Sequence, residues 1–240
     1  MNLLRRFSAP QRATELRLEE NSAPAITTSD IDLPEVFPDE FNVYCTKQHI
    51  NGKCDLFLGP HKDDCFLAVT SHNPLIRDSK IGTSIHGGKD LGYPIIATAG
   101  YNGSVTGKAK LSILSPPAPE PVEESLKMIY HWGSESYQFD LRVDDDGDLP
   151  SRFEWRASRG EEIKKVNKKA WGLKLMRLGQ DGKEELVALL VTKPMANTKL
   201  GTFKFMGKSV GGGLGYIFSE MAILTGLRIW QVKWWAGQSF

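Results

Sequence analysis

Between Leu214 and Val232 the chain is apolar on nearly every helical face, and a segment of that kind has to be surrounded. Leu214, Ile217, Phe218, Met221, Leu224, Leu227 and Trp230 recur at helical spacing, while Tyr216, Ala222, Ile223 and Ile229 occupy the remaining faces. A helix without a polar side must be enclosed by protein or by lipid. The length suits a bilayer, but Glu220 and Arg228 fall inside it, and charged side chains are costly in a lone membrane helix. The expectation is one buried helix over residues 214–232, entered through Gly211 to Gly213, with no transmembrane span.

The preceding residues supply what can surround it. Phe41 to Cys45 alternates apolar and polar side chains, Asn51-Gly52 gives a turn, and Cys54 to Leu58 follows as the second arm of a hairpin. Further short strands are expected at Cys65 to Thr70, Lys80 to His86, Ile95 to Tyr101, Ala109 to Leu114, Leu126 to Trp132 and Tyr137 to Val143. Four more are expected at Arg152 to Ala157, Trp171 to Leu178, Leu186 to Thr192 and Gly201 to Met206, with Asp146-Gly147 and Asp181-Gly182 as turns. The fold class is therefore mainly β: an antiparallel β-barrel or strongly bent sheet of about twelve short strands enclosing a hydrophobic C-terminal helix.

Residues 1–38 carry four prolines, scattered charge and few aromatics, so they are expected to be a flexible N-terminal tail. Residues 39–240 then form a single barrel-like domain, interrupted by a proline-rich linker at 116–121. Cys45, Cys54 and Cys65 are odd in number and form no CxxC, which indicates neither a disulfide framework nor a zinc site. With no apolar run near Met1 long enough for a signal peptide, a cytoplasmic location is expected. The formal net charge of +1 argues against a protein that coats nucleic acid, and no specific nucleic-acid partner is expected.

Motifs for chemistry fail on their spacing. Gly207-Lys208-Ser209 ends like a phosphate-binding loop, but Thr202 stands where the pattern needs glycine. Asp144, Asp145, Asp146 and Asp148 suggest a calcium loop, yet Arg142 and Phe153 fall at the first and twelfth ligand positions, so a solvated turn is expected. The histidines at 49, 61, 72, 86 and 131 make no close pair. His61 with Asp63, Asp64 and Cys65 is the nearest approach to a cluster, supplied by one turn. No catalytic residue, metal site or cofactor is expected, and the chain is read as a non-enzymatic binding module.

One local charge feature stands out. Between Arg156 and Arg177 lie eight lysines and arginines against Glu161 and Glu162, an excess of six positive charges. Lys164, Lys165, Lys168 and Lys169 fall in the connection between two strands, and Lys174 follows on the second of them. Such a cluster attracts anionic lipid head groups. Lys233, Trp234 and Trp235 at the helix end suit either a membrane interface or packing at the barrel mouth.

The runs Asp55-Leu56-Phe57-Leu58-Gly59-Pro60-His61, Phe153-Glu154-Trp155-Arg156, Arg159-Gly160-Glu161-Glu162-Ile163-Lys164, Trp171 to Leu178, and Glu220 to Trp230 resemble a family of uncharacterised fungal proteins over residues 41–232. The layout of strands followed by a hydrophobic helix is similar to the tubby C-terminal superfamily, which includes the LURP-one-related proteins and the phospholipid scramblases. That resemblance implies a β-barrel threaded by a central helix, and binding of phosphoinositide head groups as in its best-understood members. The expected function is attachment to an anionic membrane surface through Lys164, Lys165, Lys168, Lys169 and Lys174, making the protein peripheral to the membrane. The alternative is a protein-interaction or structural role without a small-molecule ligand, with partners taken through the N-terminal tail.

Overall fold

The computed structural model describes residues 31–45, 53–72, 81–101, 108–114, 120–131, 134–143, 149–179, 181–192 and 198–236. Its strands are β1 (Glu40–Cys45), β2 (Lys53–Gly59), β3 (Leu67–His72), β4 (Ile81–His86), β5 (Ile95–Tyr101) and β6 (Lys108–Ile113). Then follow β7 (Val122–His131), β8 (Ser134–Leu141), β9 (Ser151–Ser158), β10 (Trp171–Leu178), β11 (Glu184–Thr192) and β12 (Lys199–Phe205). Each pairs antiparallel with its neighbours in the chain, and β12 returns to β1, so the twelve strands close into an up-and-down barrel. Closure removes the exposed edges that an open sheet would present. At the seam Phe41 pairs with Phe203, and their rings stack with centroids 5.2 Å apart.

The period-two pattern sets what points inward. Phe41, Val43 and Cys45 on β1, Cys54, Leu56 and Leu58 on β2, and Ala109, Leu111 and Ile113 on β6 are all buried in one core, with polar neighbours between most of them. About eight strands make a barrel that side chains alone can fill, so a twelve-stranded one needs a further body inside. That body is α2 (Tyr216–Trp235), and every residue from Phe218 to Gln231 on it is buried. It starts two residues later than the sequence pattern suggests, because Gly215 sits at φ +88, a left-handed conformation that ends the preceding turn. Leu214 is nonetheless buried.

The helix lies close against the wall at Gly226. A Cβ added there would lie 3.1 Å from the Trp155 ring and 3.5 Å from Phe203, so glycine sets the approach. Trp155 in turn donates its indole N–H to Thr225 Oγ1 at 2.9 Å. Among the described residues, no helix is long and apolar enough to cross a membrane.

Chain direction gives the barrel two distinct ends. The helix enters beside Phe37, whose ring stacks on Tyr216 at 4.9 Å, and beside Phe205 at the close of β12. Residues 31–38, the last part of the segment read as a tail, lie at this end: Phe37 is buried and Ile31 and Leu33 pack on the core. The helix leaves at the opposite end, where Gln231 reaches His72 at the end of β3 and Gly82 at the start of β4. Residues 1–30, the Asn51-Gly52 turn, positions 115–119 of the proline-rich linker and the aspartate turn at 144–148 lie outside the described residues.

Candidate anion-binding site

The basic connection between β9 and β10 is not all loop. Glu161–Val166 forms a short helix, α1, on the outer surface of the barrel. Its acids stand first and its bases last, the order that the helix dipole favours. Ile163 is buried with Ala170, Leu189 and Val191, Val166 packs partly against the same cluster, and together they pin α1 over β11. Ser158 Oγ accepts from the Gly160 N–H at 3.0 Å and donates to Glu162 Oε1 at 2.5 Å, fixing the entry. At the other end Asn167 turns the chain: its Oδ1 accepts from the Lys169 N–H at 3.1 Å and its carbonyl from Ala170.

With Ile163 inward, Lys164, Lys165, Lys168 and Lys169 are turned to solvent. Because β9 ends and β10 begins here, they sit at the end of the barrel from which α2 emerges. A shallow depression of about 660 Å³ is lined by Glu161, Lys164, Lys165, Val166 and Lys168.

The structure separates these five candidates. Lys164 is paired with Glu161 at 2.7 Å, and Lys174, half-buried on β10, lies 3.8 Å from Glu162. The hydroxyl of Ser158, a backbone donor and these lysines hold Glu162 below the usual carboxylate range against a small opposing effect of burial. Lys165, Lys168 and Lys169 make no ion pair among the described residues. Other members of the basic run are committed inside the protein: Arg156 grips both oxygens of Glu184 at 2.8 Å as well as Glu154, and Arg177 donates through Nε to Ser151. Within the basic run, Lys165, Lys168 and Lys169 thus stand together on one turn, exposed and outside these pairings.

A second polar cluster at the same end is absent from the sequence reading. Gln231 Oε1 accepts from Thr83 Oγ1 and from Arg228 Nη1, each at 2.8 Å, while its Nε2 donates to the carbonyls of Gly82 and His72. Gly82 must lack a side chain, since a Cβ there would stand 2.7 Å from Arg228 Nη1. Farther out, Glu135 accepts from Lys233, from Tyr130 Oη at 2.8 Å and from Tyr137 Oη at 3.3 Å. These hydrogen bonds close the barrel mouth and leave Trp234 partly exposed, its ring 5.4 Å from Trp230. Lys233 is buried against Glu135, so it belongs to the seal and not to the open surface.

Burial pushes the Glu135 carboxyl up, but the donors Lys233, Tyr130 and Tyr137 outweigh it and hold the group below its ordinary value of 4.5. A carboxylate depressed in the folded state contributes stability that is present above its unfolded pKa and lost as the pH falls through the folded one. Glu135→Gln lacks this contribution at every pH. Its urea midpoint is expected below wild type at neutral pH, with the gap closing as the pH drops below about 4.5. A gap independent of pH would remove Glu135 from the seal.

Two of the motifs set aside on spacing lie among the described residues and take structural places in turns. Ser209 of the Gly-Lys-Ser run is buried, donates to the Val187 carbonyl at 2.5 Å and accepts from the Met206 N–H, so the run is a structural turn. His61, Asp63, Asp64 and Cys65 belong to one tight turn at the entry end, and no group of three or more metal-ligating side chains occurs among the described residues. Comparison with protein-family models, with curated proteins and with solved structures finds no match to this chain. What fold and surface define together is a closed up-and-down β-barrel filled by its own C-terminal helix, with a cationic turn at the helix's exit.

Proposed function

We propose that the protein is a binding module that docks this exit end on an anionic membrane surface, with phosphoinositide head groups as the ligands. The observation that carries the reading is that Lys165, Lys168 and Lys169 stand exposed on one anchored turn, at the barrel end where Trp234 is also exposed. Basic residues near a charged leaflet contribute about 1 kcal/mol each, and tryptophan favours the head-group region. Three such lysines amount to about 3 kcal/mol, which gives reversible, salt-sensitive attachment to a surface instead of tight capture of one soluble molecule. The resemblance to tubby C-terminal-like proteins points the same way, but a likeness at the level of fold is a weaker warrant than the lysines.

The test is flotation with phosphoinositide-containing and with neutral phosphatidylcholine vesicles. Wild type is expected to float with the first and not the second. The triple variant Lys165→Ala, Lys168→Ala, Lys169→Ala should lose about 100-fold in vesicle affinity, at about 1 kcal/mol per lysine. Its circular dichroism should be unchanged, because the three side chains are exposed. Equal retention on both vesicles, or a triple variant that binds like wild type, overturns the proposal.

A further inference from the structure

Three cysteines without a CxxC gave no sign of pairing, yet the closed barrel brings two of them into contact. Cys45 ends β1 and Cys54 begins the body of β2; both side chains point into the core and are almost wholly buried. Their sulfurs are 3.1 Å apart, in a thiol–thiol hydrogen bond, and neither is bonded covalently. A disulfide bond of about 2.05 Å needs a further approach of about 1 Å. Cys65 cannot compete, since it lies at the entry end of the barrel and donates to the carbonyls of His61 and Lys62 at 3.4 Å.

We propose that Cys45 and Cys54 are a modification site: a dithiol that a small peroxide converts reversibly into a disulfide across the β1–β2 hairpin. The Cys45 thiolate attacks one peroxide oxygen, the O–O bond breaks, and the released hydroxide takes a proton to become water. Cys45 is then a sulfenic acid. The sulfur of Cys54 attacks the sulfur of Cys45, displacing hydroxide, which leaves as a second water with the Cys54 proton. Two thiols lose two electrons and the peroxide gains them, so no other reactant is required.

Burial selects the oxidant and register sets the reversibility. With both sulfurs almost wholly buried, the oxidant proposed is the smallest one, hydrogen peroxide. Cys45 pairs across the ladder with Leu56, so Cys54 is its diagonal and not its direct partner. Diagonal neighbours stand farther apart than opposite ones, and closing a bond between them strains the hairpin. A strained disulfide is the more easily reduced, which makes this pair a labile element and not a permanent staple.

The experiment treats the folded full-length protein with excess hydrogen peroxide, then unfolds it, alkylates it and measures intact mass and cross-linked peptides. Wild type is expected to lose two alkylatable thiols and two hydrogens, with the bond mapping to Cys45 and Cys54, and the small thiol 2-mercaptoethanol should restore both thiols. Cys65→Ser should behave the same way, whereas Cys45→Ser should form no intramolecular bond. Three alkylatable thiols after peroxide, a bond that includes Cys65, over-oxidation of Cys45 without a disulfide, or a bond that excess 2-mercaptoethanol leaves intact each overturns the proposal.

Discussion

Trp155→Ala is expected to lower the unfolding free energy by about 3–5 kcal/mol, the range for removing a fully enclosed aromatic side chain. The indole fills the narrow space between β9 and Gly226, packs edge-on to Phe203 and supplies the hydrogen bond to Thr225. Its loss leaves a cavity that neither wall nor helix can close without moving the other. Since whole domains are stable by only about 5–15 kcal/mol, this one change takes a large share of the total. Urea titration followed by far-ultraviolet circular dichroism measures it. Leu149→Ala, a substitution of an exposed apolar side chain on the same barrel, should change the unfolding free energy by about 0.5 kcal/mol or less.

Leu224→Lys should prevent the barrel from forming a stable folded state. Leu224 is fully buried at the middle of α2, surrounded by strand side chains, and a lysine there has no water to reach. An unpaired ammonium in such a place costs several kcal/mol even after relaxation, on top of the lost packing. Leu224→Met keeps volume and polarity and should cost less than about 1.5 kcal/mol. Expression of both variants with a thermal melt separates the cases: a cooperative transition for methionine and none for lysine. A helix lying on the outside would tolerate both equally.

Much of this architecture is written in local pattern. Alternation of apolar side chains marks most of the strands within a few residues, because the sheet has one dry face and one wet face except where α1 covers β11. The all-round apolar character of α2 already demanded an enclosure, and Glu220 and Arg228 pointed to protein rather than lipid although the length suits a bilayer. Closure between β1 and β12 is not legible in the same way. It joins Phe41 to Phe203 across the whole chain, and nothing near either residue announces the other. The bulge on β11, where Val187 is skipped in the pairing with Leu175 and Met176 and both Val187 and Ala188 are buried, also breaks the simple alternation.

The candidate site divides along the same line. Counting lysines between Arg156 and Arg177 located the charge, and Glu161-Glu162-Ile163-Lys164-Lys165-Val166 carries the acid-first, base-last signature of the short helix α1. Which lysines stay available is a matter of partners: Glu161 holds Lys164, and Glu162 draws Lys174 back. The seal around Gln231 and the contact of Cys45 with Cys54 depend on strands that meet only after closure. No spacing in the sequence encodes them.

Hydrogen exchange at the amides of α2 tests the enclosure most directly. A helix sheathed on every side can exchange its central amides, from Met221 to Ile229, only when the barrel opens, so their protection should equal the global unfolding free energy and match that of β9 and β12. Exchange of those amides well before the strands would contradict it.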